Sequence, residues 1–461
     1  MGTQIGNKAK KRQILGFSFN NASTNIVFIT LSTYFLIYCT EIYGMSPVTV
    51  GLIMTGTRLF DAVTDPIIGI LIDRTDTRFG RFRPWIICGA VISATSFITM
   101  FSGLKTGSTM GNYVLITLLY SVFVIGYTMQ TACTKSAQTI VTSDKQQRTI
   151  LNTLGMIWTM IIYGLVLGTV LPIVNGAGGK DVVTGWKKAA VIIGITQVIF
   201  ATIVFFALRK KDIPENYNKL GQTSRPNFKD YIDIFAHNRA LQMLIVAAST
   251  NKIAQTITGG MTVVFYFYVV QNEALQGVVP LINMVFAIMF MFISVKIINK
   301  LGRVETFRLS SIAGCLYGFA MIPLIAMNPH SMIWLVLVFG INAMMISGTT
   351  DQNLISMIAD SADYEYYKNG RFIPGMIGTA FSFVDKIISS LSSTLVGLIL
   401  GAAGFVSITE TPISNKMFWT VLITFCAAPA IGHFFSIIGM QFHPLKKDVH
   451  EKMLQDMAER K

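Results

Sequence analysis

The chain has 461 residues, of which 52% are hydrophobic and only 13% charged. Soluble domains carry about a quarter charged residues, so this composition excludes a soluble enzyme and indicates a polytopic membrane protein. The formal charge of +14 is not a nucleic-acid signal, because the basic residues gather in particular connections between apolar runs.

About twelve apolar runs reach the roughly 20 residues that a bilayer requires. They cover 14–40, 47–72, 84–104, 112–142, 148–174, 188–208, 239–270, 275–298, 307–327, 331–358, 374–404 and 415–440. The basic start (Lys8, Lys10, Lys11, Arg12) leads straight into the first run without a cleavable-leader pattern. That run opens on polar residues, Asn20, Asn21, Ser23, Thr24 and Asn25. Their amides suit sugar hydroxyls and also suit helix packing.

The second run carries Arg58, Asp61, Thr64 and Asp65. One helical turn puts both carboxylates on one face, with Arg58 beside them. Charge inside a bilayer persists where it faces a cavity or a partner. Two acids against one base leave a negative excess, and carboxylate and hydroxyl oxygens suit Na⁺ or H⁺. After it comes a loop containing Asp73, Arg74, Asp76, Arg78, Gly80, Arg81 and Arg83. Its paired signs and its glycine suggest a cytoplasmic latch whose ion pairs form in one transport state and break in another.

Further polar residues interrupt later runs. The fourth has Thr128, Thr131, Lys135 and Gln138 at helical spacing, and the seventh has Asn251, Lys252 and Gln255. The tenth has Asp351-Gln352-Asn353, and the eleventh Ser382, Asp385, Lys386, Ser389 and Ser390. The charges within the runs nearly balance: Asp61, Asp65, Asp351 and Asp385 against Arg58, Lys135, Lys252 and Lys386. His433 in the last run reads as a core histidine. The five cysteines stand singly, so neither a disulfide nor a metal site is expected, and no cofactor beyond a coupling ion.

Basic residues recur in alternate connections, among them Lys145/Arg148, the stretch 209–238, Lys300/Arg303/Arg308, Lys368/Arg371 and Lys446/Lys447. The other connections hold little beyond Lys105, Lys180, Lys187 and Lys188. The positive-inside rule then places both termini in the cytoplasm and the chain as a multi-pass protein of the cell membrane. The expected organisation is an N-terminal six-helix bundle over 1–208, a cytoplasmic linker over 209–238, a second six-helix bundle over 239–442 and a cytoplasmic tail over 443–461. Parallel repeats of this kind describe the major facilitator architecture, an all-α membrane fold.

The segment Arg58–Pro84, the later stretch Asp360…Asp363-Tyr364-Glu365…Arg371 and Phe383-Val-Asp385-Lys386 resemble the glycoside–pentoside–hexuronide:cation symporter family, of which melibiose permease is the best-known type. The resemblance implies cotransport of a sugar or glycoside with Na⁺ or H⁺. It places Asp61, Thr64, Asp65 and Thr128 at the cation and Asn25, Thr131, Lys135, Asp351, Ser382 and Lys386 at the sugar. Asn21, Lys252 and Asp385 join the sugar candidates from their positions in polar runs. Arg58, Asp73, Arg74, Arg78, Arg81, Asp360, Asp363 and Arg371 are the gating candidates. Asn25 and Thr131 stand where the melibiose pattern has acids, Lys135 and Asp351 replace aromatic platforms, and Met156 replaces an arginine. The cation half is thus retained and the sugar half rewritten. Lys135, Lys252 and Lys386 make an anionic glycoside, such as a uronide, a candidate substrate. The expectation is a monomeric secondary transporter in the lipid bilayer, not an enzyme, importing by alternating access. An uncoupled sugar facilitator or a transporter-like sensor is the alternative.

Overall fold

The computed structural model describes residues 9–142, 144–213, 236–346, 351–370 and 374–459. Fourteen α-helices and no strand occur among them. The chain forms two compact units, Met1–Thr223 with Gly404–Pro412, and Ser224–Ala403 with Ile413–Lys461.

The first unit contains α1 (Lys11–Tyr43), α2 (Pro47–Asp73), α3 (Arg83–Met100), α4 (Thr109–Val141), α5 (Lys145–Asn175) and α6 (Val183–Ala207). The second contains α7 (Arg239–Phe265), α8 (Leu275–Leu301), α9 (Arg303–Met327), α10 (Met332–Met345), α11 (Asp351–Asn369), α12 (Pro374–Ala403), α13 (Asn415–Gln441) and α14 (Lys447–Glu459). A bilayer offers no water to a bare backbone, so helices that satisfy their own amides are the fitting element. Short polar residues start several of them. The hydroxyls of Ser46, Ser108, Ser331 and Ser414 accept the N–H three residues on, and Asn238 accepts that of Leu241 at 2.9 Å.

Among the described residues, ten helices are long and apolar enough to cross a membrane. α2 is long enough, but Arg58, Asp61 and Asp65 lower its hydropathy, so it falls outside that group. Within the run 331–358, expected as one span, α10 is described to Met345 and α11 from Asp351; residues 347–350 lie outside the described residues.

In the first unit α1 packs against α5 and α6, α3 against α4 and α6, and α2 against α4. A polar spine runs through the buried middle of this bundle. Gln130 Nε2 donates to Ser23 Oγ at 3.0 Å, and Ser23 Oγ donates to the Gln197 carbonyl at 2.9 Å. Gln197 Nε2 donates to Ser93 Oγ at 2.7 Å and to Gln130 Oε1 at 3.0 Å. The spine joins α1, α3, α4 and α6. Leaving one such buried group unpaired costs about 1–3 kcal/mol, which fixes the mutual register of the four helices.

In the second unit α7 packs against α12 and α13, and α9 against α13. Glycine sets the closest approach: a Cβ at Gly432 would lie 2.5 Å from that of Ala254 and 2.9 Å from the Thr250 carbonyl. α14 docks through buried Leu445 and Met453 and through Asp456, which accepts the Tyr367 hydroxyl at 2.7 Å.

Candidate cation and substrate site

Asp61 is 4% exposed. Thr128 Oγ1 on α4 donates to Asp61 Oδ1 at 2.5 Å. A buried carboxylate must be hydrogen-bonded or charge-paired, and a hydroxyl from the facing helix meets part of that need. Asp65, one turn on, is half-buried. Thr64 directs its hydroxyl hydrogen to the Asp61 carbonyl at 3.1 Å, which leaves its oxygen lone pairs as acceptors. The Arg58 guanidinium stacks over the Phe28 ring, 4.6 Å from its centroid, and Phe28 stacks on Tyr127 at 5.2 Å. Tyr127 lies within electrostatic reach of Arg58, Asp61 and Asp65. Neither aromatic residue stood out in the sequence, where single aromatics in apolar runs are ordinary.

The sugar candidates of the first unit lie on α1 and α4, beside α5. Asn25 Nδ2 donates to the Asn21 carbonyl at 2.8 Å and to Thr159 Oγ1 at 3.0 Å. Asn21 lies over Gly155, where a Cβ would come 2.4 Å from its Nδ2. Thr131 donates to the Thr128 carbonyl at 3.3 Å. The Lys135 side chain lies outside the described residues.

In the second unit Lys252 of α7 forms an ion pair with Asp385 of α12. Asp385 is buried, whereas half of the Lys252 side chain is exposed. Lys252 therefore offers ammonium hydrogens outward with its charge already matched. Ser382 and Lys386 are half-buried on the same helix, and the Asp351 side chain lies outside the described residues. Ser389 and Ser390 donate back to their own helix, to the carbonyls of Lys386 and Ile387.

The gating candidates divide into separate groups. Arg74 and Arg78 are exposed at the end of α2, with Arg78 over the Phe79 ring. The far end of that loop is fixed by an acid that lies about 130 residues further along the chain. Asp212, 2% exposed, accepts the backbone N–H groups of Arg81, Phe82 and Arg83 at 3.0, 2.9 and 2.8 Å. It thereby fills the N-terminus of α3. Gly80 (φ +98°) permits the approach, since a Cβ there would fall 2.5 Å from the Asp212 carboxyl. Arg83 is buried and donates to the carbonyls of Phe205 and Phe79. In the second unit Asp360 pairs with Arg303 at 2.5 Å and meets His450 of α14 at 3.4 Å. Burial raises the Asp360 pKa, but the facing His450 and the Arg303 guanidinium outweigh it and hold the carboxyl below its usual range. Asp363 is half-buried on the same helix; the Asp73 side chain and Arg371 lie outside the described residues.

Two all-helical units rich in helices long and apolar enough to cross a membrane define a transporter fold of the major facilitator type. The likeness to a crystal structure of a bacterial homolog to the human lysosomal transporter Spinster supports this fold, with a TM-score of 0.64 at 12% identity, covering 97% of this chain and 99% of that one. Residues 16–447 match the MFS/sugar transport protein family, and the chain belongs to it. It is similar to the isoprimeverose transporter of Lactiplantibacillus pentosus, 25% identical over 96% of this chain and 90% of that one. It is also similar to the glucuronide carrier protein homolog of Escherichia coli K12, 21% identical over 98% and 96% of the two chains.

Proposed function

We propose that the protein imports a sugar or glycoside in symport with Na⁺ or H⁺, by alternating access. The buried Asp61 carboxylate and the Thr128 hydroxyl it accepts carry this reading. Asp61, Asp65, Thr64 and Thr128 hold the cation, and Arg58 limits the negative charge left when the cation departs. Asn21, Asn25, Thr131, Lys135, Lys252, Asp351, Ser382, Asp385 and Lys386 contact the sugar. Arg58, Asp73, Arg74, Arg78, Arg81, Asp360, Asp363 and Arg371 govern gating. The termini face the cytoplasm, and the working unit is a monomer within the lipid bilayer.

The relatives named for isoprimeverose and for a glucuronide favour a glycoside over a free hexose. Lys135, Lys252 and Lys386 are the candidate cations for an anionic glycoside. Proteoliposome uptake of paired neutral glycosides and uronides, under imposed Na⁺ or H⁺ gradients, tests the proposal. The expected result is accumulation of one of them driven by one of the gradients. Equilibration that ignores both gradients would instead make the protein an uncoupled facilitator.

A further inference from the structure

Phe28 of α1 carries the Arg58 guanidinium over its ring, 4.6 Å from the centroid, and lies within 20° of parallel to Tyr127 of α4 at 5.2 Å. Tyr127 is in turn near-parallel to Phe123, at 17° and 6.0 Å, and Phe123 meets Tyr120 edge-on at 6.1 Å. Tyr120 packs edge-on against Phe35 of α1 at 4.9 Å. Residues 120, 123 and 127 share one face of α4 by their spacing. Phe35, Phe123 and Tyr120 are 0%, 1% and 3% exposed. The aromatic column is thus anchored at its buried end, and its other end is the half-buried ring on which Arg58 rests.

Arg58 precedes Asp61 by three residues and Asp65 by seven, so α2 presents all three on one side. An arginine so placed competes with any cation, because a guanidinium makes strong paired hydrogen bonds to carboxylates. Its charge cannot be removed by deprotonation; only its position can be set. The face of an aromatic ring attracts a guanidinium, and more so where water is excluded. Phe28 supplies that attraction from α1, a helix that carries neither carboxylate. Coulomb energy varies inversely with separation. Where the ring holds the guanidinium therefore decides how much negative potential remains at Asp61 and Asp65.

We propose that Phe28 is a positioning residue for the cation site: backed by the Tyr127–Phe123–Tyr120 column, it seats the Arg58 guanidinium and thereby sets the affinity of the Asp61/Asp65 pair for its cation. The proposal rests on the cation reading given above for that pair.

Dicyclohexylcarbodiimide, which labels a carboxyl group in its protonated form, tests this on the full chain in nanodiscs. Labelling of Asp61 and Asp65 is read by peptide mass across a range of proton concentrations, so that the proton itself is the probe cation. Phe28→Leu frees the guanidinium to settle on the carboxylates. It should raise the proton concentration for half-maximal labelling about tenfold, the ratio set by one desolvated cation–π contact. Phe28→Tyr, which keeps the ring face, should match the wild type. In an Arg58→Gln background Phe28→Leu should change nothing further, because the ring acts through the guanidinium. An unmoved midpoint in Phe28→Leu, or an equal shift in the Arg58→Gln background, would overturn the proposal and leave Phe28 a packing residue. The readout needs neither sugar nor gradient, so a protein that shifts as stated yet never accumulates a glycoside would count against the transport reading alone.

Discussion

The Thr128 hydroxyl donates to the Asp61 carboxylate at 2.5 Å, from α4 to α2, at a position only 4% exposed. A hydroxyl so placed can keep its hydrogen on the carboxylate while its oxygen faces an incoming cation. Thr128→Val keeps the shape and removes that oxygen. The half-saturating cation concentration should rise about tenfold, the equivalent of ~1.4 kcal/mol, and Thr128→Ser should restore it. Cation-titrated uptake in vesicles measures the shift, and an unchanged titration would show that Thr128 serves packing alone.

The Lys252–Asp385 pair joins α7 to α12 with one partner buried and the other half exposed. Lys252→Met leaves the buried carboxylate unmatched. The expected loss is about 1–2 kcal/mol, less than the ~3–5 kcal/mol of a fully buried pair, because water reaches the lysine. The double variant Lys252→Met/Asp385→Leu should recover most of it. Thermal unfolding in detergent compares the three proteins, and additive losses in the double variant would rule out coupling between the two residues.

Asp212 holds three successive amides at the start of α3. Asp212→Ala should cost roughly 2–3 kcal/mol and increase hydrogen exchange at residues 81–83, with Asp212→Asn intermediate. Gly80→Ala should act similarly, because its Cβ would strike the same carboxyl. Unaltered exchange in Asp212→Ala would show that the loop is held by other contacts. Arg74 and Arg78, by contrast, reach outward, so Arg74→Ala should slow transport more than it weakens sugar binding.

Docking of α14 should depend on pH with a definite sign. Burial pushes His443 down to about 4, and Asp360 is held below its usual range. Both shifts are depressions, so each group stabilises the folded state fully above its unfolded pKa and loses that contribution as pH falls. His443 sets the earlier window, from its ordinary 6.5 down to about 4, and Asp360 acts below 3.8. Protease protection of residues 443–459 should be constant above neutrality and decline through the His443 window. Protection that improves on acidification would contradict the assignment.

The charged stripe of α2 was legible because carboxylates within an apolar run have few reasons to exist. Asp385 and Lys252 were legible singly for the same reason, but their pairing was not, since nothing local links α7 to α12. Asp212 went unnoticed because it is one acid beyond a helix end, and its partners are backbone amides distant in sequence, which carry no residue-type signal.

In the proposed cycle the Asp61/Asp65 pair couples a cation gradient to sugar accumulation. The most direct measurement compares wild type with Asp65→Asn in proteoliposomes, following labelled glycoside with the Na⁺ or H⁺ gradient imposed and then collapsed. Wild type should accumulate sugar above equilibrium only while one gradient stands, and Asp65→Asn should equilibrate sugar without concentrating it. Full gradient-driven accumulation by Asp65→Asn would contradict it.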